Sequence, residues 1–202
     1  MISVEDQMRL ENAIREVEDL TSGEVVVVIA QQASGYRSIP VLWALLGALL
    51  APWPLIWITT LGASRIFMLQ LVVALMLSAF LSWPNRRYAL VPRFIKHARA
   101  HEAAAREFLS RGLTRTREKT GVLIYLALAE HYAEIIADSG IADRVDPAVW
   151  QDIIAKLTGA IRDGRIGDGL EEAVRRAGAI LAEHAPPRFD DMDELPNKVF
   201  LI

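Results

Sequence analysis

The sequence contains no cysteine. That excludes a disulfide framework, a thiolate zinc site and a cysteine nucleophile, while leaving the redox compartment open. Charge imbalance is also small: 22 Lys and Arg stand against 25 Asp and Glu, a net of −3. No overall basic field points to nucleic acid, and the Lys and Arg residues are not interleaved with aromatics as a nucleic-acid surface requires. The first twenty residues, MISVEDQMRLENAIREVEDL, are polar and acidic. They lack a basic region followed by an apolar one, so no signal peptide is expected there. There is no Gly-x-Ser-x-Gly, and no Walker sequence. GRIGDG (Gly164 to Gly169) follows a helical stretch rather than a strand, so it is not a dinucleotide fingerprint.

Charge is scarcest in the middle of the chain. Between Pro40 and Ser82 the only charged residue is Arg65, which separates two apolar runs, Ile39 to about Leu61 and Ile66 to about Trp83. A bilayer core needs roughly 20 apolar residues as helix, so the pair reads as a transmembrane hairpin embedded in the lipid bilayer. Arg37 precedes it, and Arg86, Arg87, Arg93, Lys96 and Arg99 follow it. Basic residues near span ends stay cytoplasmic, which places both termini in the cytoplasm and the Thr60–Arg65 turn outside. Pro52 and Pro54 interrupt the first run. Each removes a backbone donor, so a re-entrant turn at that point is the alternative topology. The basic stretch is read first as a topology determinant and second as a contact for anionic headgroups.

The flanks read as one soluble domain. Residues 3–20 have a helical stripe of Val4, Met8, Leu10, Ala13, Ile14, Val17 and Leu20, with Ser3 as cap and Asp6 three residues on. Glu24 to Ala30 (EVVVVIA) is a β-branched run suited to a strand buried on both faces. Pro92 to Leu113 reads as a helix with Ala98, His101, Ala105, Phe108 and Leu109 on one face and Gly112 as its stop. Val122 to Leu128 and Tyr132 to Asp138 form an antiparallel hairpin turning at Ala129 to His131. Two amphipathic helices close the domain. Asp146 caps the first, with Pro147 at its first position, and its face is Val149, Ile153, Ile154, Leu157 and Ile161. The second is expected to start from Asp168 with Glu171 in a capping box. The 186–202 tail is irregular, and its end is free to dock or not. The expected fold class is an α/β three-layer sandwich with a small mixed sheet, interrupted by a two-helix membrane hairpin. The expected divisions are 1–36, 39–83, 86–185 and 186–202. The hairpin then lies in the crossover between the first and second strands.

The order of LTSGEVVVVI (Leu20 to Ile29), TGVLIYLALAEHYAEIIADSGI (Thr120 to Ile141) and IRDGRIGDGLEEAV (Ile161 to Val174) resembles the TPM domain family. It is most similar to the bacterial subgroup with a transmembrane hairpin after the first strand. His131 stands where that family usually carries Arg at the hairpin tip. The resemblance implies an α/β/α fold with a mixed sheet, and placement in a bacterial inner membrane. A plant member is associated with acid phosphatase activity, and metal binding at an acidic rim is described in the family. Most members have no assigned reaction.

Asp138, Asp143 and Asp146 surround the loop after the third strand. With Asp163 or Asp168 they would offer oxygen ligands for Ca²⁺ or Mg²⁺, at a sheet end of the kind where α/β sites form. Competing roles are helix caps for Asp146 and Asp168 and a turn for Asp143. Glu130 and His131, with Asp138 or Glu134, are candidates for general acid and base. His97 and His101 are spaced to share a ligand. The primary expectation is a membrane-tethered, non-enzymatic module that binds membrane-protein partners. The alternative is a divalent-metal-dependent phosphatase using Asp138, Asp143, Asp146 and Asp168.

Overall fold

The computed structural model describes residues 2–36, 38–83, 88, 91–187 and 198–202. Arg37, Arg86 and Arg87, three of the residues that set the expected topology, lie outside the described residues, as do 188–197 of the tail. The chain divides into two compact units, Met1–Ala33 with His97–Ile202, and Ser34–Lys96.

The first unit is built on one sheet. Helix α1 (Val4–Glu18) starts at a capping box in which the Ser3 hydroxyl accepts from the Asp6 N–H and the Asp6 carboxylate returns to the Ser3 N–H. Strand β1 (Val25–Ala30) is buried at every residue, as is β2 (Val122–Ala127). β1 and β2 are parallel, with Val25 opposite Val122. β2 turns back into antiparallel β3 (Tyr132–Ala137). The tail returns as β4 (Val199–Leu201), parallel to β1 on its other side, so the strand order is β3-β2-β1-β4. The tail end therefore docks, as a strand on the sheet edge.

Alternation along a strand sends neighbours to opposite faces, and this explains why the two runs carry no polar residue. Val25, Val27, Ile29, Val122, Ile124 and Leu126 join one core with residues of α1, α7 (Pro147–Arg162) and α8 (Ile166–His184). Val26, Val28, Leu123 and Tyr125 join a second core under α5 (Arg93–Ser110). The result is the three-layer α/β sandwich with a mixed sheet. Each fully buried Val, Leu or Ile stabilises by about 1.5–3 kcal/mol relative to exposure.

Several local expectations change. The buried face of α5 is Ala100, Ala103, Ala104 and Phe108, whereas Leu109 is 65% exposed. The helix is alanine-rich on several sides, so periodicity leaves its phase ambiguous, and close approach to the sheet selects the small residues. A single 3₁₀ turn (Leu113–Arg115) follows α5. The loop after β3 holds a short helix, α6 (Ser139–Ala142), capped by Asp138. Gly140 lies so close to the loop before β2 that a Cβ there would meet the backbone carbonyls of Glu118 and Lys119. Helix α8 starts from Arg165 rather than Asp168, because Gly164 at φ 78° reverses the chain and lets the next helix begin at once. Asp168 and Glu171 thus form no capping box. They lie within α8, bonded to Arg9 and to Arg175 respectively.

The second unit contains α2 (Ser38–Leu50), α3 (Pro52–Ile58) and α4 (Ala63–Leu81). Together α2 and α3 give one apolar stretch, Ser38–Ile58, and α4 gives another; both are long and apolar enough to cross a membrane. Pro52 and Pro54 break the first stretch only at Ala51, and both of its halves pack on α4. The reversal falls at Thr59–Gly62, not at the prolines. Ala44 and Ala48 of α2 are buried, and a Cβ on Gly47 would stand 3.0 Å from Leu77 of α4. Small residues on one face let helix backbones approach closely in lipid.

Candidate functional site

The sheet has two ends with different chemistry. β1, β2 and β4 run parallel and end together at Ala30, Ala127 and Leu201, while Ala137 of β3 lies opposite Val122. The loop of Asp138 therefore sits where the parallel strands begin. Sites in open α/β sheets favour the carboxyl ends of the strands, and that end holds the β2–β3 turn instead.

At this turn Glu130 is only 5% exposed. Its Oε1 accepts the Ala33 N–H at 3.0 Å, and its Oε2 has no hydrogen-bond partner among the described residues. The N–H groups of Leu128 and Ala129 donate to the carbonyls of Ala30 and Gln31, and Gln31 donates to Ile202. This lattice fastens the chain leaving β1 to the hairpin tip. Nearby Tyr125 is wholly buried, and burial, then the charges of Glu130 and Glu107, push its phenol up to about 12. His131 takes a left-handed φ of 51° and is exposed. Glu130 faces inward and His131 faces water, so the expected acid–base pair at the tip is divided between two environments.

The structure joins other groups instead. Tyr132 and Glu134 alternate onto the α5 side of β3. The Glu134 Oε1 lies 2.8 Å from His101 Nδ1, and its Oε2 accepts from the Tyr132 hydroxyl at 3.0 Å. The His97 ring rests beside the Tyr132 ring, with centroids 5.2 Å apart and planes tilted by 55°. Burial, then the Glu134 charge, raises the Tyr132 phenol well above its ordinary value. An ionised carboxylate accepts only, so Nδ1 of His101 carries the proton and Nε2 remains available on a side chain that is 61% exposed. This is an imidazole held in one orientation by a carboxylate, able to exchange a proton or donate to a ligand. The signal was present in the sequence as the i, i+2 pair Tyr132 and Glu134, which share one strand face.

The four aspartates expected to share a cation do not converge. Asp138 accepts the Ser139 N–H at 2.7 Å, and its other oxygen is buried without a hydrogen-bond partner among the described residues. Asp143 ends α6, and Asp146 caps α7 by accepting from Ala148 at 2.8 Å. Asp163 and Asp168 lie at the far end of α7, a 16-residue helix and thus about 24 Å long. There they line a groove of about 320 Å³ between α7 and α8, with Lys156, Arg165 and Arg176 on the rim. Several of these charges are paired: Asp163 binds Arg165 at 2.9 Å, Asp168 binds Arg9 at 3.1 Å, and Arg176 and Lys156 both bind Asp152, at 2.8 and 3.2 Å. Among the described residues no group of three or more His, Asp or Glu side chains is placed to hold a metal ion.

Residues 87–180 match the TPM domain family. The matched stretch leaves out β1 and β4, yet β1 is the strand that joins β2 to β4. The sheet is thus completed by segments on either side of the matched stretch. The NMR structure of BA42 protein from the psychrophilic bacteria Bizionia argentinensis sp. nov. is similar in fold, with a TM-score of 0.62 and 20% identity. The likeness covers 100% of this chain and 95% of that one. No curated protein matches the chain.

Proposed function

We propose that this protein is a membrane-anchored TPM-domain module. Its hairpin crosses the bacterial inner membrane twice, both termini lie in the cytoplasm, and the TPM domain binds a membrane-protein partner. The observation that carries this reading is the exposure of the apolar helices. Leu49 is 62% exposed, Trp53 68%, Trp57 85%, Phe67 65% and Met76 68%. At about 25 cal/mol per Å² of apolar surface, so long a surface is costly in water, and patches of this extent mark membranes or partners. A lipid phase removes the cost, and Trp57 and Trp83 near the helix ends suit interfacial anchoring. Arg93, Lys96 and Arg99 after the hairpin favour a cytoplasmic domain.

The absence of native cysteine makes the topology directly testable. With Gly62→Cys in the full chain, a membrane-impermeant maleimide is expected to label intact cells from the outer side of the inner membrane. With Ser3→Cys it is expected to label only after lysis. The reverse pattern would overturn the orientation, and release of the chain by alkaline carbonate would overturn the anchor. The binding-module reading fails if the purified full chain hydrolyses a phosphate ester at a rate abolished by Asp138→Ala.

A further inference from the structure

The second unit has a charged end that the anchor alone does not use. Tyr36, just before α2, meets Tyr88, beyond α4, edge to face with ring centroids 5.8 Å apart. Tyr36 and Val91 are buried. The ring contact brings the two ends of the hairpin together, and α5 starts two residues after Val91. Its first turn presents Arg93, exposed, Phe94, 73% exposed, and Lys96, half-buried. That turn contains no acidic residue, and neither cation forms an ion pair among the described residues. Two cations on the first turn oppose the helix dipole, which favours anions there. Arg99, one turn on, is different, since it spends its charge on Glu102 at 2.9 Å.

We infer that Arg93, Phe94 and Lys96 form a contact for anionic phospholipid. The guanidinium of Arg93 pairs with a lipid phosphate, in the planar geometry that suits phosphate oxygens. The Lys96 ammonium supplies a second positive charge on a long apolar stem. The Phe94 ring enters the interfacial layer beside them. The lipid phosphate also supplies the anion that the N-terminus of α5 lacks. The occupant is a lipid headgroup rather than a soluble anion because the patch begins where the apolar hairpin ends, and because its exposed ring has no use for free phosphate. The inference rests on the anchored reading and adds to it a preference for lipid type.

The experiment uses the full chain with Ala98→Cys carrying a fluorophore, one turn along α5 from Phe94. It is reconstituted into vesicles of phosphatidylcholine alone or mixed with phosphatidylglycerol, with one or the other lipid brominated as quencher. Stronger quenching by brominated phosphatidylglycerol, weakened by salt, is expected. Arg93→Gln and Lys96→Gln should each reduce the preference roughly fivefold, as a basic residue at an anionic surface does. Phe94→Ser should reduce quenching by both lipids. Equal quenching by the two lipids, unchanged in Arg93→Gln, would overturn the inference while the protein still floats with the vesicles. Loss of the preference when inorganic phosphate replaces chloride at constant ionic strength would overturn it by assigning the patch to a soluble anion. A chain that floats with neither vesicle fails the anchored reading instead.

Discussion

Glu134 on the edge strand holds His101 of α5 through a 2.8 Å contact between Oε1 and Nδ1. The same carboxylate receives the Tyr132 hydroxyl. Removing its charge by Glu134→Gln should lower the pH at which Tyr132 ionises, because a neighbouring anion opposes phenolate formation. Burial, the larger cause of the rise, should keep that pH above about 10, the ordinary value. Tyrosinate absorbance of wild type and variant checks this, with Tyr132→Phe identifying the transition. An unmoved transition would mean that the carboxylate does not face the phenol.

Asp152 gives a pH dependence of known sign. Hydrogen bonds from Arg176 and then Lys156 hold its carboxyl below the ordinary value. The unfolded state therefore takes up this proton at higher pH than the folded state does. The contribution to stability is complete above about pH 4 and is lost as pH falls through the lower folded value. Asp152→Asn should melt below wild type at neutral pH, and the two curves should converge in strong acid. Added salt should shrink the difference, since the group is exposed. A gap that persists unchanged in acid would refute the assignment.

Two glycines should respond in opposite directions. At Gly140 a Cβ would stand 2.6 Å from the Lys119 carbonyl oxygen and closer still to that of Glu118. Backbone cannot yield as a side chain can, so Gly140→Ala should cost about 1–3 kcal/mol or more. Gly159 lies inside α7 with nothing within 4 Å of its Cβ position. Gly159→Ala should stabilise by about 0.5–1 kcal/mol. Denaturant midpoints of the full chain in detergent measure both, and equal signs would contradict the packing described.

Asp146 and Asp168 stand at opposite ends of α7. Asp146→Ala removes a cap and should cost about 1 kcal/mol. Asp168→Asn removes an exposed pairing with Arg9 and should cost under about 1 kcal/mol. The double variant should equal the sum within about 0.3–0.5 kcal/mol, as for separate sites. The comparison is made with and without Ca²⁺ and Mg²⁺. Strong coupling that appears only with metal would revive a shared cation site and, with it, the phosphatase alternative.

Much of the fold was legible because its signals are local. The pure β-branched run at Val25–Ile29 and the apolar VLIYLA run announced strands covered on both faces. Ser3 with Asp6, and Asp146 with Pro147, marked helix starts that the backbone adopts. Where local signals were ambiguous, long-range contact decided. Alanines all round α5 left its phase open until the sheet chose Ala100, Ala103 and Ala104. Gly164 moved the start of α8 ahead of the aspartate that looked like its cap.

Composition and order alone determined that a charge-poor hairpin interrupts a mixed α/β domain, because length, hydropathy and strand chemistry are properties of contiguous residues. Only the tertiary structure decided which polar groups meet. Parallel pairing of β1 with β2 set the Asp138 loop at one sheet end and Glu130 at the other. The length of α7 parted Asp146 from Asp168. The packing of α5 on the sheet brought His101, thirty-three residues away in sequence, onto Glu134. Such meetings depend on strand direction, helix length and register, which no spacing along the chain encodes by itself.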